Sequence, residues 1–287
     1  MVTLLVAAAL AQSPFTAAEL AKVHDARAKA RREQLAELRG PRSPLAYHRE
    51  HLEGTDAVVV LGSAPDAGVR LEGAPVKVAE VRHSAAGFFL EPLEGGLFDV
   101  KTRAPVEASS QPWAEGRELG FGTRYVMSVR TRSDGVPYVE SYDAAAPELV
   151  AYKGPPYYLD DDAFAAPATL DKRGDKKGSM QRSHGGTLVL PEAGVLAFSL
   201  GGRALSLVAY DEGGGELFVP FADSTNGKGT YGGGRYLTPT KLDGGRWLVD
   251  FNTAWNPLCV YNADYSCALP PRENRLPVAV EAGERMP

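Results

Sequence analysis

Cysteine, methionine and tryptophan are scarce in this chain, with two, four and three residues among 287. Nowhere does an apolar run approach the roughly 18 residues that cross a bilayer as a helix. There is no excess of positive charge either: 31 lysines and arginines face 36 aspartates and glutamates, for a formal net charge of -5. These shortages exclude a disulfide-dense miniprotein and a polytopic helical membrane protein. They also leave no broad basic surface to neutralise phosphates, so no nucleic-acid partner is expected. Catalytic signatures are missing as well, since neither G-x-S-x-G nor a P-loop occurs. Gly227-Lys-Gly229-Thr-Tyr-Gly232 has G-x-G-x-x-G spacing but runs on into Gly233-Gly234-Arg235, without the helix N-terminus that would hold a pyrophosphate. His48-Arg-Glu-His51 lacks a third metal ligand, and Asp160-Asp161-Asp162 lacks EF-hand spacing. No cofactor or metal is expected.

What the chain has in quantity is turn-forming residues, 31 glycines and 21 prolines, within a 44% hydrophobic composition. Short runs bounded by Gly, Asp and Pro recur from Ala57: Ala57 to Leu61, Val76 to Val81, Gly87 to Leu90, Leu97 to Thr102, Arg124 to Arg130 and Tyr138 to Tyr142. A second set covers Thr187 to Leu190, Val195 to Leu200, Ala204 to Tyr210, Glu216 to Phe221 and Trp247 to Phe251. Gly201-Gly202 between two of these runs suits a primed hairpin turn. The expected fold is mainly β, an antiparallel β-sandwich or barrel-like pair of sheets with one N-terminal α-helix. That helix is announced by the capping box Thr16-Ala-Ala-Glu19 and should end at Gly40-Pro41, within residues 12–41. Its Arg27, Lys29, Arg31 and Arg32 interleave with Asp25, Glu33 and Glu37, which predicts a solvated face. A short helical or irregular piece is expected around His48 to Leu52. The β-rich remainder divides into subdomains at 55–170 and 180–287, with the charged stretch Asp171 to Gly178 as a mobile loop between them.

Val2 to Leu10 is a short apolar run ending in Ala9-Leu10-Ala11, so residues 1–11 read as a signal peptide, although the usual positive first segment is absent. Export to the periplasm or the exterior is expected, with a cytoplasmic protein as the alternative. Cys259 and Cys267 lie in one Pro-, Asn- and Tyr-rich segment, where a disulfide would close a nine-residue loop and contribute roughly 2 to 3 kcal/mol. Two buried thiols, or metal or redox chemistry, are the other readings.

Polar groups concentrate in the last 70 or so residues. The segments FADSTNGKGTYGGGRYL and LVDFNTAWNPLCVYNADYSCALPPRENRLPVAVEAGE, within Phe221 to Glu284, resemble the bacterial family called domain of unknown function 1684. Tyr152 to Asp161 (YKGPPYYLDD) is similar to a further family segment, whereas Pro44 to Gly54 lacks the Gly-Trp-Leu that follows the helix in the family. The resemblance implies no activity. Three readings therefore stand for the cluster of Asp223, Thr225, Tyr231, Arg235, Asp250, Asn252, Glu273, Asn274 and Arg275. In a small-ligand binding protein, Arg235 and Arg275 would donate to an anion or carboxylate while Asp250, Asn252 and Asn274 fix polarity. In an enzyme, expected to be hydrolytic, Asp223, Asp250 and Glu273 would supply acid and base. In a purely structural network the same groups would hold the Pro-rich tail in place. Under the first and third readings, Arg235, Asp250, Asn252, Glu273 and Arg275 are expected to converge in space.

Overall fold

The computed structural model describes residues 13–54, 57–132 and 134–287. The expected signal peptide lies outside them. The chain forms two compact units, one of Gln34–Gly154 with Leu258–Tyr265, the other of the chain up to Glu33 with Pro155–Pro257 and Ser266–Pro287.

Helix α1 (Ala17–Leu38) begins where the capping box places it. The Thr16 amide donates to Glu19 Oε2 at 2.8 Å, and the Glu19 amide donates back to Thr16 Oγ1 at 3.2 Å. Phe15 before the cap shares a small apolar cluster with Leu20 and Val23, a hydrophobic staple on the entry to the helix.

The Gln34–Gly154 unit holds β1 (Tyr47–His51), β2 (Val58–Gly62), β3 (Val69–Arg70), β4 (Ala79–Ser84), β5 (Gly87–Pro92), β6 (Leu97–Asp99), β7 (Leu119–Phe121), β8 (Tyr125–Thr131) and β9 (Pro137–Asp143). They make two sheets, ordered β1-β9-β8-β7-β6 and β3-β2-β4-β5, with β2/β3 the parallel pair. One apolar core joins the sheets, with Leu61 and Val81 from one and Met127, Val129 and Val139 from the other. The expected helical piece at His48 to Leu52 is instead strand β1. Its residues alternate against β9, so Tyr47, Arg49 and His51 fall on one face and His48 and Glu50 on the other. His48 and His51 therefore point to opposite sides of the sheet.

The other unit is one antiparallel sheet of β10 (Ala165–Asp171), β11 (Lys177–Gln181), β12 (Thr187–Leu200), β13 (Arg203–Asp211), β14 (Leu217–Phe221), β15 (Arg235–Leu237), β16 (Thr240–Lys241) and β17 (Trp247–Asp250). The order is β15-β14-β13-β12-β10-β17-β16, with β11 paired to β12. The two runs expected at Thr187 to Leu190 and Val195 to Leu200 form one strand, interrupted by a bulge between Glu192 and Gly194. Gly201 and Gly202 both take positive φ in the turn from β12 to β13, as predicted. The charged stretch Asp171 to Gly178 connects β10 to β11, both of which pair with β12. Leu196, Phe198, Leu207, Val219, Phe221 and Phe251 form the core together with Leu276, Val280 and Ala282 of the tail. An irregular tail thus supplies part of the core, and its backbone polar groups require partners there.

Candidate functional site

Arg235 is the first of those partners. It opens β15 opposite Phe221 and is fully buried. Its Nη1 donates to the carbonyls of Ala282 and Glu284, and its Nη2 to the Val280 carbonyl at 2.9 Å and to Asp223 Oδ2 at 3.0 Å. Burial pulls the guanidinium pKa down, with the Asp223 charge acting against that pull. Asp223 lies two residues past β14, and its Oδ1 accepts from the Thr225 amide at 2.8 Å, Thr225 Oγ1 at 2.6 Å and, across the tail, the Val280 amide at 3.2 Å. Thr225 also meets Thr230 hydroxyl to hydroxyl at 2.8 Å, while the half-exposed Tyr231 accepts from Asn226 through its carbonyl. Gly234 completes the crossing at φ 93°, where a Cβ would lie 2.4 Å from Pro270 and 2.6 Å from the Phe221 carbonyl.

Asp250 belongs to a second network. It ends β17, caps a 3-10 turn over Phe251–Thr253, and accepts from the Asn252 amide at 3.0 Å and Asn252 Nδ2 at 2.7 Å. Its counter-ion comes from α1. Arg27 Nε donates to Asp250 Oδ2 at 3.0 Å, Nη2 donates to Asp162 at 3.1 Å, and Nη1 lies 3.5 Å from Asp160. Burial opposes the charge on Arg27, but these carboxylates outweigh it and raise its pKa. Arg31, one turn on, also pairs with Asp160. Asn252 doubles as a backbone mimic, accepting from the Asp161 amide at 3.0 Å and donating to the Asp161 carbonyl at 2.9 Å.

Asn274 does the same in a third place, accepting from the Val208 amide at 2.7 Å and donating to the carbonyls of Val208 and Pro220. It bridges β13 and β14 beyond the stretch where they pair. Glu273 and Arg275 flank it on the surface and enter none of the three networks. Arg235, Asp250 with Asn252, and Asn274 thus stand in separate networks that share no hydrogen-bond partner among the described residues, and Glu273 and Arg275 join none of them. Cys259 and Cys267 are both half-buried.

The second network borders open space, a cleft of about 670 Å³ lined by Arg27, Arg31 and Asp160 to Asp162. In the Gln34–Gly154 unit a groove of about 810 Å³ runs along the β1 edge of the five-stranded sheet. Its floor continues the face that carries Val139 and Met127 into the core, but here the strands present His48, Glu50, Ser141 and Asp143. Ser141 is a largely buried residue whose hydroxyl, without a hydrogen bond to another described residue, reaches the open space of the groove. Asp143 receives two hydrogen bonds from Arg124 at 2.6 and 2.9 Å. Burial works against its ionised form, and Arg124 overcomes this to hold the pKa below the usual carboxylate range. His48 Nε2 lies 3.0 Å from the Gly68 carbonyl across the groove. Asp66 and Glu148 stand on the rim, with Arg70 as the arginine of the lining.

Residues 150–285 match the family model described as "Protein of unknown function (DUF1684)". The chain belongs to that family. Among solved structures it is similar to an uncharacterized protein from gene locus rrnAC0354 of Haloarcula marismortui. The two are 33% identical over 48% of this chain and 80% of that one, with a TM-score of 0.40. No curated protein matches. All three polar networks of this DUF1684 protein lie within the matched stretch except for Arg27 and Arg31. The interleaved charges predict a solvated face for these two. Their spacing carried the opposite signal, because Leu20, Val23, Arg27 and Arg31 recur every three or four residues and so share one side of α1.

Proposed function

We propose that this DUF1684 protein is an exported small-ligand binding protein, and that the polar motif of its C-terminal half is a structural clasp. One observation carries the second part: four of the five guanidinium donors of a fully buried Arg235 are committed to Asp223 and to three carbonyls of the tail. A group so placed can neither meet an anion nor relay a proton to a substrate. Asp250 is tied to Arg27 and Asn252 in the same manner, which removes two of the three carboxylates a hydrolytic reading needs. Export follows from the A-x-A pattern at Ala9-Leu10-Ala11, and a bond between Cys259 and Cys267 suits an oxidising compartment. The open groove at the β1 edge supports ligand binding, since its size is that of small-molecule sites.

The test joins stability and binding. Asp223→Asn and Arg235→Ala should lower the denaturation midpoint steeply, while hydrolysis of generic ester, phosphate and glycoside substrates by the wild-type chain stays at background. A stable Arg235→Ala protein, or wild-type turnover lost on Asp223→Asn, would refute the clasp. A thermal-shift screen in which no small molecule raises the melting temperature would refute the binding role.

A further inference from the structure

We infer that the groove along the β1 edge takes a small organic cation, an amine bearing one or two ammonium groups. This rests on the binding-protein reading above and adds the site and the chemistry of its ligand. The first ground is pattern. A sheet face that packs a core is apolar along its length, and Val139 and Met127 obey this. On the same face of β9 the chain then places Ser141 and Asp143, with His48 across from Ser141 on β1. The Ser141 hydroxyl makes no hydrogen bond to another described residue and opens onto the groove instead of being sealed in the core, so it is available to a ligand. A ligand donor seated above β9 would meet it.

The second ground is charge. The lining carries the carboxylates Glu50, Asp66, Asp143 and Glu148 against Arg70. Arg124 neutralises Asp143 from behind, which leaves three acidic groups around the opening. The carboxylates accept hydrogen bonds and the Ser141 hydroxyl can accept as well as donate, so the lining offers acceptors to an ammonium. Low-dielectric walls below and acid groups above concentrate cations and repel carboxylates and phosphates. A bare metal ion fits less well, since no group of three His, Cys, Asp or Glu side chains among the described residues has metal-binding geometry. The volume of about 810 Å³ suits a molecule rather than an ion.

Titration calorimetry of the full chain at low salt tests this with putrescine, succinate and glucose as probes. Putrescine should bind saturably and weaken as salt rises. Binding should fall at least about tenfold in the Asp66→Asn, Glu148→Gln double variant, weaken in Ser141→Ala, and stay unchanged in Arg275→Ala. The exposed positions of Asp66 and Glu148 leave the fold intact in the double variant. Putrescine binding that ignores the groove substitutions would overturn the site. Succinate or glucose binding in preference to putrescine, and lost in the groove variants, would overturn the ligand class while the binding role stands. No heat from any of the three, with a thermal-shift hit elsewhere, would likewise sink the cation assignment alone, and silence in both experiments would end both readings.

Discussion

Arg235 and Arg275 are the same residue type in the same family motif, and their surroundings give them opposite roles. Arg235 sits where the tail passes over the sheet, and its fork reaches carbonyls from Val280 to Glu284 that no strand could pair. Truncating it leaves Asp223 charged and buried, so Arg235→Ala should destabilise the protein by about 3 to 5 kcal/mol in a urea titration. Lysine cannot reproduce the fork and should recover only a part. Arg275 is exposed, and its contribution to the tail is main-chain: the Leu276 amide donates to Ala222 at 2.8 Å whatever side chain stands at 275. Arg275→Ala should stay within about 0.5 kcal/mol of wild type in the same titration. Equal losses for the two would contradict the assignment.

For elements, α1 is the instructive case. Its local start is encoded by Thr16 and Glu19, whereas its docking depends on Arg27 meeting an aspartate 223 residues away. Replacing Thr16 by alanine should cost about 1 kcal/mol, read as a lower thermal midpoint. Hydrogen bonds from Thr16 and Arg246 hold the Glu19 carboxyl at about 2, well below the ordinary value of 4.5. A pKa depressed by folding means the stabilisation is present above the ordinary value and disappears as pH falls towards the depressed one. Amide exchange of the first turn of α1 should therefore speed up between about pH 4.5 and pH 2, and Glu19→Gln should flatten that dependence. Arg27→Ala strands Asp250 and should raise exchange throughout residues 17–33, while Lys29→Ala, on the exposed side, leaves it unchanged.

For the whole molecule, the proposed export and the proposed bond between Cys259 and Cys267 are tested together. Protein recovered from an oxidising compartment should have the mass of a chain starting at Gln12 and, after denaturation without reductant, no titratable thiol. An intact Met1 would contradict processing, and two thiols would contradict the bond between Cys259 and Cys267. Much of the fold was readable beforehand because its signals are local. The capping box, the Gly201-Gly202 turn and the alternating runs that became β2, β5, β8, β9, β13 and β14 each depend on neighbours a few residues apart. Strand β1 was misread because Tyr47-His-Arg-Glu-His carries no apolar alternation, being polar on both faces. The site was harder still. That Asp250 would need a polar partner followed from its place beside Val249 and Phe251, both buried in the core. That the partner would be Arg27 rather than Arg275 did not, since charge pairing between distant segments leaves no periodic trace. Composition and spacing thus determined most element types and the turns, and the motif text of Phe221 to Glu284 carried the family resemblance. Which polar groups are sealed and which line an open groove was decided only when the chain packed, because burial is a property of long-range contacts and not of any one segment.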